Sequence, residues 1–495
     1  MQQSIADLFN IPQFNNMQNK PSVYINKEEK ESVKLSRDNF INFTFIDLFA
    51  GIGGFRIPIS NLGGDCLGFS EIDNHAIKTY ISNYCEDPKN NFGNITKIKI
   101  LPHVDLLVGG VPCQSWSVAG KMKGFDDDRG LLWNDVIRLV ESSQPKVFVF
   151  ENVKGLLSEK NEESFNYIIN SFKQKNYLVK VNMLNSYDFD VPQLRERVFI
   201  VGFRADLRQQ FNHFRFPAGK AVHRNLSDYL DDVERKDVNK GKLSVSELFG
   251  NTVPSSRNIF QKEDELNDFF TMCDTRNGHS TIHSWDLADT TPLQKDIMNV
   301  VLTNRRKKIY GPKDGNPLSF EDISGVMPNI KLEDLEGLVE AGLLRRVDNK
   351  FELKNSKNSS GINNLYRMYM PYSKIFSTLT ATGTKDVVVT DYIDTDVTPD
   401  EYKRQFIEKI IKNKRYRALT VQEVQRIQGF PGTFIPHEDE KIAKKQFGNA
   451  VSPPVIEALI KKIIETKVFD LGATLNEQHI RLYINLTKSL QKSSF

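Results

Sequence analysis

The sequence predicts an α/β fold: a mostly parallel sheet covered by helices on both faces, joined to a smaller, more polar region. Three observations carry this. Short, continuously apolar segments recur from Phe43 onward: "FTFIDLF", "CLGFSE", "VDLLVGG", "KVFVFEN", "LVKVNML" and "RVFIVGF". Between most of them lie "NHAIKTYISNY", "GLLWNDVIRLVESS" and "EESFNYIINSFKQK", with apolar residues near helical spacing. The strands are apolar throughout rather than alternating, as a sheet buried on both faces requires. "RVFIVGFR" follows "LVKVNML" with no helix between them, so an antiparallel pair is expected at one edge.

The remaining elements follow in chain order. Residues 1–40 are polar, rich in Asn, Gln and Lys, and read as an extension. Residues 41–204 hold the alternating strands and helices, and 416–495 are expected to complete the same domain. There "RALTVQEVQRIQGFP" resumes helical order, and "GNAVSPPVIEALIKKIIETK" is a loop feeding an amphipathic helix. The intervening 205–415 form a separate region. Within it, residues 293–354 read as a winged-helix-like insert: helical stretches, a helix ending in "EAGLL", a basic turn and a strand. The alternative is an ordinary helical insertion.

Composition narrows the function class. With 495 residues the chain is too long for one compact core. Hydrophobic residues at 39% and charged residues at 26% are those of a soluble globular enzyme. The net charge of +3 identifies no partner, so local clusters such as "NRRKK" and "KNKRYR" must be read instead. Cys66, Cys85, Cys113 and Cys273 form no CxxC pair, which argues against a disulfide scaffold and a zinc site. No metal is expected. The start of the chain lacks a charged and apolar leader, and no apolar run reaches the ~20 residues of a membrane span. A cytoplasmic monomer without membrane attachment is the simplest expectation.

The first strand runs into "DLFAGIGGF", where glycines at 51, 53 and 54 let the backbone turn tightly and approach a ligand. A dinucleotide fingerprint would need glycine at 56, which is Arg56. The second strand ends in "SEID", which puts Glu71 where an acidic side chain binds ribose hydroxyls. An adenosine-type ligand at the carboxyl edge of the sheet is therefore expected. A plain strand-to-helix turn is the ordinary alternative.

Three further strand ends carry chemistry. "GGVPCQS" presents Cys113, "VFVFENV" presents Glu151 with Asn152, and "VPQLRERVFIVG" presents Gln193, Arg195 and Arg197. In an open α/β sheet these ends converge on one crevice. A thiolate, a carboxylic acid and guanidinium groups suit addition to an electron-poor ring. Singly, each has an ordinary reading: a small buried hydrophobe, a strand-end cap, a surface charge. Their joint occurrence, in this order behind the glycine loop, favours a site.

The ordered series "DLFAGIGGF", "PCQSWS", "ENVKGLL", "QLRERVFIVG", "RALTVQEVQRIQGFP" and "QFGNAVSPPV" resembles the DNA (cytosine-5) methyltransferase family of bacterial restriction–modification systems. The resemblance covers about residues 43–204 and 416–460, and leaves 1–40 and most of 205–370 outside it. It implies a Rossmann-like S-adenosylmethionine-dependent fold with a target-recognition domain. It implies that Cys113 attacks C6 of a flipped-out cytosine in duplex DNA, Glu151 engages N3 and the exocyclic amine, Arg197 holds O2, and Arg195 supports Glu151 or the intermediate.

The same resemblance places S-adenosylmethionine on Phe49, Gly51, Gly53, Gly54, Glu71, Ile72, Asn94, Ile95, Pro112, Leu132, Asn449 and Val451. Asn94 departs from the family's usual Asp, so an altered adenine contact is expected. The stretch "SWSVAGKMKGFDDDRG" reads as a loop closing over the flipped base, with Gln114 and Ser117 toward DNA. Thr378 and Leu379, in "STLTATGTKD", resemble the family's Thr-Leu recognition element.

Two other function classes compete with this one. An RNA cytosine-5 methyltransferase would carry a Cys-Phe-Thr element that is absent here. A catalytically silent DNA-binding regulator would have lost Cys113 or Glu151. A cognate restriction endonuclease, not stably bound, is the family's commonest setting. Gln2, Ile5, Leu8 and Phe9 have the spacing of sliding-clamp-binding peptides.

Overall fold

The structure is a computed structural model; it describes residues 42–112, 132–219, 224–236, 238, 268–275, 281–313, 315–354, 366–381, 383 and 385–470. The chain divides into two compact units. One draws on Met1–Val222, Thr378–Gly383 and Val424–Phe495, the other on His223–Ser377 and Thr384–Glu423.

The first unit is built on a six-stranded sheet: β1 (Phe43–Leu48), β2 (Gly64–Ser70), β3 (Leu106–Gly110), β4 (Val147–Val153), β5 (Tyr177–Asn185) and β6 (Glu196–Arg204). Their order across the sheet is β2-β1-β3-β4-β6-β5. β1 pairs in parallel with β2 and β3, and β3 with β4. β6 is antiparallel to both of its neighbours. The missing helix between β5 and β6 is what permits this hairpin, and it is the edge feature that the sequence predicts.

Helices cover both faces. α1 (Arg56–Asn61) and α2 (Asn74–Tyr84) follow the first two strands, and α3 (Leu132–Ser143) and α4 (Glu162–Gln174) flank β4. α2 starts where it does because Asp73 caps it, accepting from the N–H groups of His75 and Ala76. It ends at Cys85 in the left-handed conformation, φ +48°. Trp133, Val136, Leu139 and Val140 of α3 pack with Phe148, Phe150 and Phe172 on one side of the sheet. Phe43, Phe45, Val147, Val149 and Val201 fill the other. Consecutive strand residues thus feed opposite cores, which is why the strands read as unbroken apolar runs.

In the second unit, β7 (Phe269–Met272), β8 (Thr281–Ile282), β11 (Tyr366–Tyr369), β12 (Val387–Val389) and β13 (Tyr416–Arg417) form a five-stranded sheet in the order β13-β12-β11-β7-β8. A separate module comprises α5 (Pro292–Asn304), α6 (Phe320–Val326), α7 (Leu332–Glu340) and the hairpin β9 (Leu344–Val347) with β10 (Lys350–Leu353). A single bridge ties Leu318 to Phe351 of β10. The module closes its own core around Trp285, Ile297, Val301, Leu335, Leu338 and Phe351.

The chain ends its described part with α8 (Val421–Gln428), α9 (Glu440–Asn449) and α10 (Pro453–Ile464). Val455, Ile456, Leu459, Ile460 and Ile463 of α10 pack into the sheet core beside Phe43 and Phe45. No described helix is long and apolar enough to cross a membrane.

Candidate active site

The strand order reverses between β1 and β3, and ligands of open α/β sheets bind at the carboxyl edge of such a switch point. Two loops leave the sheet there. Phe49–Gly54 follows β1, and Val111–Pro112 follows β3.

The first loop is bent by backbone that few side chains adopt: Phe49 (φ +52°), Gly51 (φ +56°) and Gly53 (φ +85°) are all left-handed. A Cβ on Gly53 would lie 2.4 Å from the Tyr84 ring, whereas one on Gly51 would meet nothing within 4 Å. Gly53 is therefore dictated by packing, and Gly51 faces open space. Tyr84 donates its hydroxyl to the carbonyls of Ile52 (3.1 Å) and Gly53 (2.9 Å). A Cβ on Gly54 would come 2.7 Å from the Val451 carbonyl, so Val451 closes on this loop.

Glu71 is held ready beside it. Its Oε2 accepts from Gly51 N–H at 2.8 Å, and its Oε1 from the N–H groups of Ile72 (2.7 Å) and Asp73 (2.9 Å). Ile72 is 68% exposed next to this carboxylate, a large apolar side chain set out toward solvent. Ile95 lies buried in the core instead. Pro112 and Leu132 are half-buried, and Asn449 is exposed at the end of α9.

Asn94 departs further than its residue type alone suggests. Its Oδ1 accepts from both the N–H and the hydroxyl of Thr96, each at 3.0 Å. The oxygen caps its own turn, so both lone pairs are occupied and the amide N–H₂ is the group left to face a ligand.

Asp47 lies beneath the loop, fully buried, and neither carboxyl oxygen has a hydrogen-bond partner among the described residues. Burial pushes its pKa well above the usual carboxylate range; Arg56 opposes the shift and Glu71 adds to it. An open glycine cradle, an anchored carboxylate and an orphaned buried carboxyl fit a ligand with ribose hydroxyls and positive charge, as S-adenosylmethionine has.

The second half of the site sits on β4 and β6. Because β6 is antiparallel, its start lies at the carboxyl end of β4, with Glu151 opposite Phe199 and Val153 opposite Arg197. Glu151 and Arg197 are thus diagonal neighbours on one face. Arg197 Nε lies 2.8 Å from Glu151 Oε1, with both side chains largely buried. Gly110, three residues before Cys113, pairs with Glu151 in the β3–β4 register. A Cβ there would lie 3.6 Å from Glu151 Oε2 and 3.8 Å from Val451, so the two strand ends and the late Val451 share one cleft. Glu151, Arg195, Arg197, Val451 and Ser452 line it.

Arg195 lines the same cleft and is also tied to the backbone. Its guanidinium donates to three carbonyls: Leu379 (2.9 Å), Gly448 (3.1 Å) and Ala450 (2.9 Å). Gln193 works with it, accepting from Leu379 N–H at 2.9 Å and donating to Gln428 Oε1 at 2.9 Å. Thr378 donates its hydroxyl to the Leu194 carbonyl, and Leu379 is buried. The segment Gln193–Arg195 therefore staples Thr378–Leu379 and the turn after α9 to the head of β6. Gln193 and Gln428 are fully buried parts of this staple, and Gln428 does not stand out in the sequence. Its one signal there is an amide on the apolar side of "VQRIQGFP".

Cys113, Gln114 and Ser117 lie outside the described residues, as do Gln2, Ile5, Leu8 and Phe9. Of the other cysteines, burial pushes the Cys66 thiol up to about 12, which silences it as a nucleophile. Cys273 is buried in the other unit, and Cys85 is exposed at the end of α2. No group of three or more His, Cys, Asp or Glu suited to a metal occurs among the described residues.

Comparison with known proteins identifies the family. The family model for C-5 cytosine-specific DNA methylase matches residues 43–465. The Type II methyltransferase M.HgiBI of Herpetosiphon aurantiacus is 43% identical over 431 residues, covering 86% of this chain and 98% of its own length. The Type II methyltransferase M.BanI of Aneurinibacillus aneurinilyticus is 33% identical over 447 residues, covering 86% and 97%. The chain belongs to the C-5 cytosine-specific DNA methylase family: it is a DNA (cytosine-5) methyltransferase whose methyl donor is S-adenosylmethionine.

Proposed function

We propose that Cys113, Glu151 and Arg197 carry out methyl transfer on a cytosine flipped out of a specific short duplex sequence, with Arg195 as a positioning residue. The observation that supports this most is the Glu151–Arg197 pair at 2.8 Å, in register with the strand that delivers Cys113.

In this reading the Cys113 thiolate adds to C6, forming a carbon–sulfur bond and pushing the C5–C6 π pair toward C5. Glu151 engages N3 and the exocyclic amine, accommodating the charge that the addition places on the ring. Arg197 holds Glu151 in place through Nε, donates from Nη1 to the Glu196 carbonyl, and offers Nη2 to the cytosine O2. After C5 is methylated, its proton leaves to a base, and elimination of the thiolate restores the ring. Bound S-adenosylmethionine supplies the electrophilic methyl group. Phe49, Gly51, Gly53, Gly54, Glu71, Ile72, Asn94, Ile95, Pro112, Leu132, Asn449 and Val451 would hold it, with Asn94 offering an N–H donor to adenine rather than an acceptor.

The wider assignment is part of the same proposal. Residues 41–204 and 416–495 form the catalytic domain, 205–415 the target-recognition region and 1–40 an extension. Gln114, Ser117, Thr378 and Leu379 serve DNA recognition. The two relatives named above are Type II methyltransferases, which supports protection of DNA against a cognate endonuclease. The enzyme acts in the cytoplasm as a monomer. A clamp pull-down decides whether Gln2, Ile5, Leu8 and Phe9 add a sliding-clamp contact.

A duplex with 5-fluorocytosine at the methylated position tests the chemistry. Fluorine cannot leave as a proton, so a covalent adduct accumulates. The adduct should map to Cys113 and vanish in Cys113→Ala, and Glu151→Gln should form it at least ~10²-fold more slowly. An adduct on another cysteine, or none with active protein, would contradict the assignment.

A further inference from the structure

The helix–wing module of the second unit carries its charge in an unexpected place. In helix-turn-helix readers, the helix before the wing enters the major groove. Here that helix is α7, "LEDLEGLVE", with Glu333, Asp334, Glu336 and Glu340 and no basic residue. A helix of this charge is repelled by phosphate. On the wing, the two arginines are paired: Arg345 with Glu352, and Arg346 with Glu336.

The basic charge lies instead on the turn that follows α5. Arg306, Lys307, Lys308 and Lys313 are all exposed. The lysines at 307, 308 and 313 have no ion pair among the described residues. Ile309, at the apex, is 80% exposed, the most exposed large apolar side chain among those described.

One buried side chain ties the turn together. Asn316, 3% exposed, donates its side-chain N–H₂ to the carbonyls of Arg305 (3.0 Å), Gly311 (3.1 Å) and Lys313 (2.8 Å). Its Oδ1 accepts from Lys313 N–H at 3.0 Å. Gly311 (φ +147°) and Gly315 (φ +142°) are required: a Cβ would come 2.4 Å from Asn316 Oδ1 and 2.1 Å from the Arg305 guanidinium. The buried Asn316 side chain thus stitches a loop whose outer lysines pair with no carboxylate among the described residues. Such a frame suits a polyanion, because the backbone is ordered before contact.

We propose that this turn is a phosphate-contacting edge, and that the module approaches the DNA backbone through Lys307, Lys308 and Lys313 rather than through α7. The proposal rests on the reading of the chain as a DNA methyltransferase.

The test uses the full-length protein and a 30-base-pair duplex carrying its methylated motif, with binding followed from about 50 to 200 mM salt. The triple variant Lys307→Ala, Lys308→Ala, Lys313→Ala should flatten the plot of log affinity against log salt by about 2–3, because each phosphate left unneutralised takes roughly 0.9 from the slope. Turnover at saturating DNA and thermal stability should match the wild type. Glu333→Lys with Glu340→Lys should leave the slope unchanged. A triple variant with wild-type affinity and slope would overturn the proposal. So would α7 charge reversal that steepens the slope, since it would put that helix against DNA. Absence of methylation by the wild type would instead refute the enzyme reading, a separate result.

Discussion

Replacing Arg195 by Ala should cost both stability and cofactor binding, and the structure sets the size. The guanidinium is 3% exposed and donates to the carbonyls of Leu379, Gly448 and Ala450. Ala450 keeps a second donor, Gln428 Nε2 at 2.7 Å. The carbonyls of Leu379 and Gly448 keep none among the described residues. Two buried carbonyls stripped of their donor cost about 1–3 kcal/mol each, so about 2–6 kcal/mol together. At about 2–4 °C per kcal/mol for a unit of this size, Tm should fall by at least about 4 °C. Because the freed turn carries Asn449 and Val451, S-adenosylmethionine binding should weaken with it. Arg195→Lys should recover only part of the loss, since one ammonium cannot match a planar fork reaching three carbonyls. Thermal unfolding and calorimetric cofactor titration measure both. A Tm within about 1 °C of wild type with unchanged cofactor affinity would refute the reasoning.

Further outcomes follow from the cofactor half of the site. Gly51→Ala should weaken S-adenosylmethionine more than it weakens the fold, because its Cβ enters open space at φ +56°. Gly53→Ala should weaken the fold itself, because its Cβ enters the Tyr84 ring. Equal effects at the two positions in paired Tm and binding measurements would contradict the assignment. Asn94→Asp keeps the cap on Thr96 and adds a second acceptor for an adenine amine. It should tighten cofactor binding by about fivefold, one hydrogen bond of about 1 kcal/mol, and unchanged or weaker binding would count against it. Asp47 has a raised native pKa, so its favourable contribution is full below the unfolded value of about 3.9 and is lost as pH rises through the native value. The Tm of wild type minus that of Asp47→Asn, without cofactor, should therefore fall across that window; a rising difference would be inconsistent with the buried carboxyl.

Much of the catalytic sheet was legible because each strand is apolar on both faces and each intervening helix has its own period. Even the antiparallel β6 was readable, from the absence of a helix before it, and its direction is what brings Arg197 to Glu151. The carbonyl partners of Arg195 were not readable. Arg195 and Arg197 lie two residues apart, and which of them meets the carboxylate depends on carbonyls 184 to 255 residues away. Sequence spacing carries no trace of such partners. The capped oxygen of Asn94 was available locally, since Thr96 two residues on is the partner an Asx turn uses. The burial of Asp47 was not, because an aspartate in a strand reads as a polar strand end. In the second unit the strands are two to four residues long and the connections polar, so periodicity had little to act on. The helix–wing module stood out there because its helices keep their apolar spacing around a core of their own.

The most direct test is a map of cytosine methylation in DNA from cells expressing the wild-type chain beside its Cys113→Ala variant. The account predicts 5-methylcytosine at one short motif in the wild type and none in the variant. Methylation that persists in the variant would contradict it.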